Sequence, residues 1–299
     1  MVAVLAAMMP TRRTLLAGGL VAAAAPALAR RAGAWSWPLG LQLWSVATEL
    51  GKDLPGTFAR LAALGYRHAE TAGWYGLKPD AFARAASTAG LTCVSAHMSM
   101  GELAKDIPTA IGQARDAGCT WLVCASPQPT APLRSGLDWN TAMAEAMTID
   151  DWRRNGDVAE RAGEAAARAG IGFAWHNHIA EFAPKGDQRG VDILLGATDP
   201  KHVSLELDIG WAAVAGIDPA AFIAQHADRV RLVHVKDMVR RPDGTRGPAV
   251  VGTGTVDWRA VFAAARKAGV QHAFVEIEAP YVRPVFDELA AARDFLVSL

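Results

Sequence analysis

The chain lacks a surplus of charge of either sign: thirty Lys and Arg stand against thirty Asp and Glu, for a formal net charge of zero. A groove for nucleic acid needs clustered Lys and Arg to displace phosphate counterions. Beyond the N-terminal segment only short basic pairs occur, such as Arg153-Arg154 and Arg240-Arg241, so nucleic acid is not an expected partner. Cysteine is scarce. Cys93, Cys119 and Cys124 form no C-x-x-C pair, and an odd count cannot pair completely, which excludes a disulfide framework. Cys93 and Cys124 each sit in an apolar run and read as buried free thiols. No repeat of roughly 20–50 residues is present, which removes solenoids and arrays.

Long apolar runs are also missing, with one exception near the N-terminus. Thr11-Arg12-Arg13-Thr14-Leu15-Leu16 sets a twin arginine before the Gly/Ala-rich run Leu15 to Ala29. That run is too short to span a bilayer comfortably, and it closes with Ala27-Leu28-Ala29, an A-x-A cleavage pattern. Residues 1–29 are therefore expected to be a twin-arginine signal that directs export, to the periplasm or beyond, and leaves no stable membrane anchor after cleavage. Such signals carry proteins that have already folded, in keeping with the missing disulfide framework. Residues 30–299 then have about the length of one barrel of ~250 residues, with little left for a second domain.

What is present is a regular alternation. Strand-like runs near Gly40–Trp44, Tyr66–Thr71, Thr92–His97, Trp121–Ala125, Gly172–Asn177, Val203–Asp208, Val230–Lys236 and Ala273–Glu278 number eight. Amphipathic, mostly Ala-rich stretches follow them: Pro55–Leu64, Pro79–Ala89, Leu103–Ala117, Asp150–Ala169, Val191–Ala197, Pro219–His226, Trp258–Ala268 and Pro284–Val297. Gly170 and Gly269 close two of these where a left-handed residue ends a helix. Most gaps between strands suit a right-handed β-α-β crossover. The pattern predicts an α/β protein, a single (β/α)8 TIM barrel. The long irregular insert Ser126–Met147, with Pro127, Pro129 and Pro132, is expected to be a lid or substrate wall at the C-terminal face.

In such a barrel the C-terminal strand ends converge on one mouth, so residues far apart in sequence can meet there. The last four strands carry His176, Asp208, His234 and Glu276 at or near their ends. Two imidazoles and two carboxylates form a mixed N/O donor set suited to one divalent ion of Mn, Co, Fe, Zn or Mg. Glu206 and Glu278 lie two residues from Asp208 and Glu276, share their faces, and could replace either. Glu70 and His97, ending the second and third strands, extend the polar ring as substrate contacts or as groups that orient the ligands. Trp44, Trp74 and Trp211 fall at or just after strand ends, where indole faces can stack on sugar C–H surfaces. Lys236 shares a face with His234 and can donate to a developing oxyanion.

The motifs WHNHIAEF (Trp175–Phe182), LELDIGW (Leu205–Trp211), HVKD (His234–Asp237), G-x-G-x-x-D-W (Gly252–Trp258) and VEIE (Val275–Glu278) resemble the xylose isomerase-like superfamily of sugar isomerases and epimerases, over Leu39 to Leu299. That superfamily also includes inosose and dehydroshikimate dehydratases. The resemblance implies metal ligands from the fifth to eighth strands, with Asp208, His234 and Glu276 at three of those positions. On the fifth strand many epimerases carry a Glu that is both ligand and acid/base, whereas this chain has His176. Glu181, five residues on, is the alternative to His176 as fourth ligand and a candidate catalytic group with Glu276 and Lys236. The implied activity is metal-dependent isomerisation or epimerisation of a sugar or keto-sugar, by proton abstraction next to a metal-polarised carbonyl. A lyase or dehydratase acting on a keto-glycoside or polyol shares those first steps. An exported carbohydrate-binding barrel without catalysis is a reading of a different class. In each case the partner is a small carbohydrate.

Overall fold

The computed structural model describes residues 34–240 and 246–299; the twin-arginine leader read at residues 1–29 lies outside the described residues. Eight parallel strands close a barrel: β1 Gly40–Gln42, β2 His68–Thr71, β3 Thr92–Met98, β4 Trp121–Cys124, β5 Gly172–His176, β6 Ser204–Asp208, β7 Val230–Val235 and β8 His272–Val275. They stand in chain order, and β1 pairs with both β2 and β8 to complete the ring. The chain is a (β/α)8 barrel, as the alternation of strand and helix patterns predicts.

Three local differences from the sequence-based expectation have plain causes. The stretch Leu103–Ala117 is two helices, Met100–Lys105 and Ile107–Asp116, rather than one. Asp106 caps the second by accepting from Thr109 N at 3.0 Å, and Pro108, which has no N–H to give to a continuous ladder, fits its first turn. The insert Ser126–Met147 contains the helix Trp139–Ala146, started by Asp138 accepting from Thr141 N. β1 stops at Gln42 because that side chain accepts from Trp44 N at 3.0 Å and starts the 3-10 turn Leu43–Val46. Trp44 is therefore on a turn and not on a strand.

Two apolar layers set the height of the mouth. A large core lies between the strands and the surrounding helices and includes Phe58, Phe82, Trp152, Phe173, Trp175 and Phe262. A small one fills the barrel interior: Val94, Trp121, Val123, Ala174, Leu232 and Phe274. The bulky rings fit because glycine faces them. A Cβ at Gly172 would lie 2.5 Å from the Trp121 ring, and one at Gly40 would lie 2.8 Å from Phe274. Strand side chains alternate between faces, so two residues beyond Ala174, Leu232 and Phe274 come His176, His234 and Glu276. The apolar plug thus positions the polar layer directly above it. On β3 the period breaks: Ala69 pairs with Cys93 but Glu70 with Ser95, so Val94 is passed over. Val94 joins the plug, and His97, three residues on, reaches the mouth.

Candidate functional site

At the top of the plug the structure brings together one ligand-type atom each from His176, Asp208, His234 and Glu276, all within 4.8 Å of one another. All four residues are buried. Asp208 is fixed three ways. Its Oδ1 accepts from Trp211 N at 2.8 Å, capping the helix Ile209–Val214. Asn177, at the end of β5, holds its backbone from both sides, accepting from Asp208 N at 2.9 Å and donating to Asp208 O at 3.4 Å. Its Oδ2 lies 3.0 Å from Lys236 Nζ yet off the hydrogen-bond line, which leaves a buried acceptor with no hydrogen-bond partner.

His234 works through both ring nitrogens. Nδ1 faces Glu276 Oε2 at 2.8 Å and Asp208 Oδ2 at 3.8 Å, while Nε2 faces Glu70 Oε1 at 2.6 Å and Glu206 Oε2 at 3.2 Å. Gln42 Nε2 donates to the same Glu70 oxygen at 2.8 Å. Glu206 Oε2 is shared further by His97 Nε2 at 2.6 Å and His176 Nδ1 at 3.2 Å, so three imidazoles converge on one carboxylate oxygen. His97, His176, Glu206 and His234 form a second close group that overlaps the first. Lys236 Nζ sits among Asp208 at 3.0 Å, Glu276 at 2.9 Å and Glu278 at 2.6 Å, and 4.9 Å above the Trp211 ring.

The charges are unevenly matched. Burial and the surrounding imidazoles and Lys236 hold His176 well below the usual histidine range, so it is neutral, the form in which imidazole binds metal. Burial opposes charge on His97, but Glu70 and Glu206 outweigh it and raise its pKa to about 9. Asp208 is pushed up to about 6, mainly by burial and with Glu276 adding to the rise, even though Lys236 pulls the other way. Four buried carboxylates, Glu70, Glu206, Asp208 and Glu276, thus face three groups that favour the charged form: Lys236, His97 and His234, the last held, against its burial, well above the usual histidine range by Glu206, Glu276 and Glu70. The donor set, the neutral His176 and the partnerless Asp208 oxygen fit a divalent ion at His176, Asp208, His234 and Glu276.

Above this cluster opens a cleft of about 620 Å³. Trp44, Trp211, His97 and Glu278 line it, with Trp139, Ser126 and Asn140 from the Ser126–Met147 insert forming a wall. Lys185 Nζ ties that wall down by donating to Ala144 O at 2.7 Å. Two residues named from sequence lie outside both the cleft and the cluster beneath it. Trp74 packs edge-on to Phe82 and its indole donates to Gln113 at 3.1 Å, because the core between helices takes the ring. Glu181 is buried outside the cluster, its two oxygens accepting from Trp175 Nε1 at 3.1 Å and His178 N at 2.8 Å. Trp175 faces the outer core, so a carboxylate bound to it points away from the mouth; His176 is the fifth-strand group at the centre. Burial raises Glu181 to about 7, against the pull of the donors from His178 and Trp175.

Three residues of the site are not among those named from the sequence: Gln42, His178 and Trp139. Gln42 ends β1 in register with Glu70 on β2, so the strand-end rule, applied to β1, finds it. His178 lies two residues past His176, edge-on to both His176 and Trp139 at 4.8 Å between ring centroids. Its Nδ1 is buried without a partner. Trp139 has no local sequence signal.

Residues 58–299 match a family model described as xylose isomerase-like TIM barrel. Among curated relatives, an inosose dehydratase from Geobacillus thermodenitrificans is 30% identical over 50% of this chain and 55% of its own length. The rhizopine catabolism protein MocC from Rhizobium meliloti is 26% identical over 64% of this chain and 60% of its own length. The chain therefore spans little more than half the length of these curated relatives. Among solved structures, a sugar phosphate isomerase/epimerase from Parabacteroides distasonis superposes with a TM-score of 0.72 at 24% identity, covering 87% of this chain and 93% of that one. A xylose isomerase-like TIM barrel protein from Mycobacterium smegmatis, solved in complex with magnesium, gives 0.62 at 16% identity over 88% and 96%. At these identities the solved structures speak to the fold.

Proposed function

The chain belongs to the xylose isomerase-like TIM-barrel family, and on that premise we propose that it is a divalent-metal-dependent isomerase or epimerase acting on a sugar or keto-sugar. The observation that carries the reading is the cluster of His176, Asp208, His234 and Glu276 at the floor of an open cleft, with Lys236 against it. A divalent ion held there supplies Lewis acidity to a carbonyl or hydroxyl oxygen of the substrate. Glu276 is kept ionised, since Lys236 and His234 outweigh the effect of its burial, and it lines the cleft; it takes the proton from the carbon next to the carbonyl. Lys236 keeps its proton, because three carboxylates outweigh burial, and steadies negative charge growing on the substrate oxygen. Glu278 orients Lys236 from the solvent side. His97, charged and anchored to Glu206, presents its edge to the sugar hydroxyls.

A dehydratase reading has its own support in the likeness to proteins named inosose dehydratase. It shares the proton abstraction and ends with loss of a hydroxyl from the next carbon. Turnover in deuterated water tests the common step: the recovered sugar or product should carry deuterium at the abstracted position. Glu276→Gln should lose about 10²–10⁴ in kcat while retaining most metal affinity, since the amide keeps an oxygen but cannot accept the proton. Full turnover without exchange or isotope effect would sink proton abstraction. An unsaturated or dehydrated product would decide for the second reading. Export is proposed on the Arg12-Arg13 motif together with the Ala27-Leu28-Ala29 site. Lysine at both positions should retain precursor in the cytoplasm, and undiminished export would show the pair to be accidental.

A further inference from the structure

We infer that the substrate is an uncharged glycoside, its reacting ring over the metal-ligand cluster and a second ring against the tryptophan rim. This rests on the sugar-enzyme reading and narrows it. The cleft holds about 620 Å³, close to twenty water volumes at ~30 Å³ each. One pyranose with its hydroxyls fills well under half of that. The remaining space is bounded by indoles with free faces: Trp44 is 59% exposed and Trp139 40% exposed, although both are bulky apolar rings. They reach the cleft from different parts of the barrel, Trp44 just after β1 and Trp139 from the insert after β4. Exposed indole faces suit the C–H face of a second sugar ring.

Trp211 and His178 add aromatic surface to the same wall, while their ring atoms Nε1 and Nδ1 are turned inward and buried without a hydrogen-bond partner. Charge points the same way. Glu102 and Glu278 line the cleft, and among the described lining residues there is no Lys or Arg. Lys236, just beneath, is already shared by three carboxylates. A phosphate dianion entering here meets Glu102, Glu276 and Glu278, with His97, already engaged by Glu206, as the one cationic side chain among the described lining residues.

The test is calorimetric titration of the purified protein supplied with Mn²⁺, using three probes that share one keto-sugar: D-fructose, D-fructose 6-phosphate and lactulose, in which a galactosyl ring is attached to fructose. Lactulose should bind about tenfold more tightly than fructose, the size of one good aromatic contact. Fructose 6-phosphate should bind no more tightly than fructose. Trp139→Ala or Trp44→Ala should lower the affinity for lactulose about tenfold more than that for fructose, closing the gap between the two. Tightest binding of fructose 6-phosphate would overturn the inference and leave the sugar reading standing. Equal losses for fructose and lactulose in both variants would also overturn it, since the indoles would then serve the first ring. If none of the three binds, the inference falls together with the sugar reading.

Discussion

Strands β5 to β8 and strands β1 to β4 end at the same mouth but do different work there. The second half of the barrel brings His176, Asp208, His234 and Glu276 to one point, each with an atom to offer an ion. The first half contributes Gln42, Glu70 and His97, and each of these touches the others' partners: Gln42 donates to Glu70, Glu70 faces His234, and His97 faces Glu206. Glu70 and His234 are 164 residues apart in sequence. One half offers the candidate ligand atoms and the other braces them. A barrel allows this because side chains from opposite walls meet above the plug, and a braced imidazole keeps its tautomer and direction when an ion arrives.

The largest expected effect comes from the ligand half. Asp208→Ala or His234→Ala should remove most bound divalent metal, and with it activity, while the far-ultraviolet circular dichroism of the barrel is retained. Elemental analysis of the purified variants checks this. Full metal occupancy in both would erase the distinction between the two halves.

The bracing half should give smaller losses. Glu70→Gln keeps the shape but weakens the charged contact with His234 Nε2, and should cost roughly 10–100-fold in metal affinity. Gln42→Ala, one contact further out, should cost less. Competition against a chromogenic chelator measures both. A Glu70→Gln loss as complete as that of Asp208→Ala would make Glu70 a ligand, and no loss at all would make the bracing decorative.

How far the sequence reveals this site follows from the same geometry. The ligand positions are legible because two rules coincide on them: strand side chains alternate, and strand ends in a barrel converge. Those rules also reach Glu70 and Gln42. They reach His97 only by accident, since the skipped Val94 resets the period of β3. Beyond the strand ends legibility fades. Glu181 reads as a spare carboxylate, but its direction is set by the outward indole of Trp175, a tertiary contact. Trp74 and Trp139 look alike as aromatic residues in loops. The core between helices takes the first, whereas the second is carried to the cleft by a helix whose position depends on packing and on Lys185. The order of strands and helices was legible from periodicity; the division of Met100–Asp116 at Asp106 rests on one cap and one proline.

The smallest expected effect separates carboxylates that serve the ion from one that serves only the wall of the cleft. Asp151, buried in the first turn of helix Ile149–Arg168, accepts from Thr148 N at 2.9 Å and Thr148 Oγ1 at 2.8 Å. Its other oxygen accepts from Thr130 N at 3.0 Å, from Thr130 Oγ1 and from Arg154, and so pins the insert that carries Trp139. Burial opposes its charge, but these donors outweigh it and hold Asp151 well below the usual carboxylate range. A carboxyl whose folded value is depressed contributes stability that is fully present above its unfolded value of about 3.9, and that fades as pH falls toward the folded value. Asp151→Asn should therefore cost about 1–2 kcal/mol near neutral pH, the scale of a lost charged cap, and the difference from wild type should shrink below about pH 4. Urea unfolding at a series of pH values reads this directly. Metal content should not change, because Asp151 touches none of the ligands; a fall in metal content would show that the wall and the ion are coupled, and that the division of labour extends beyond the strands.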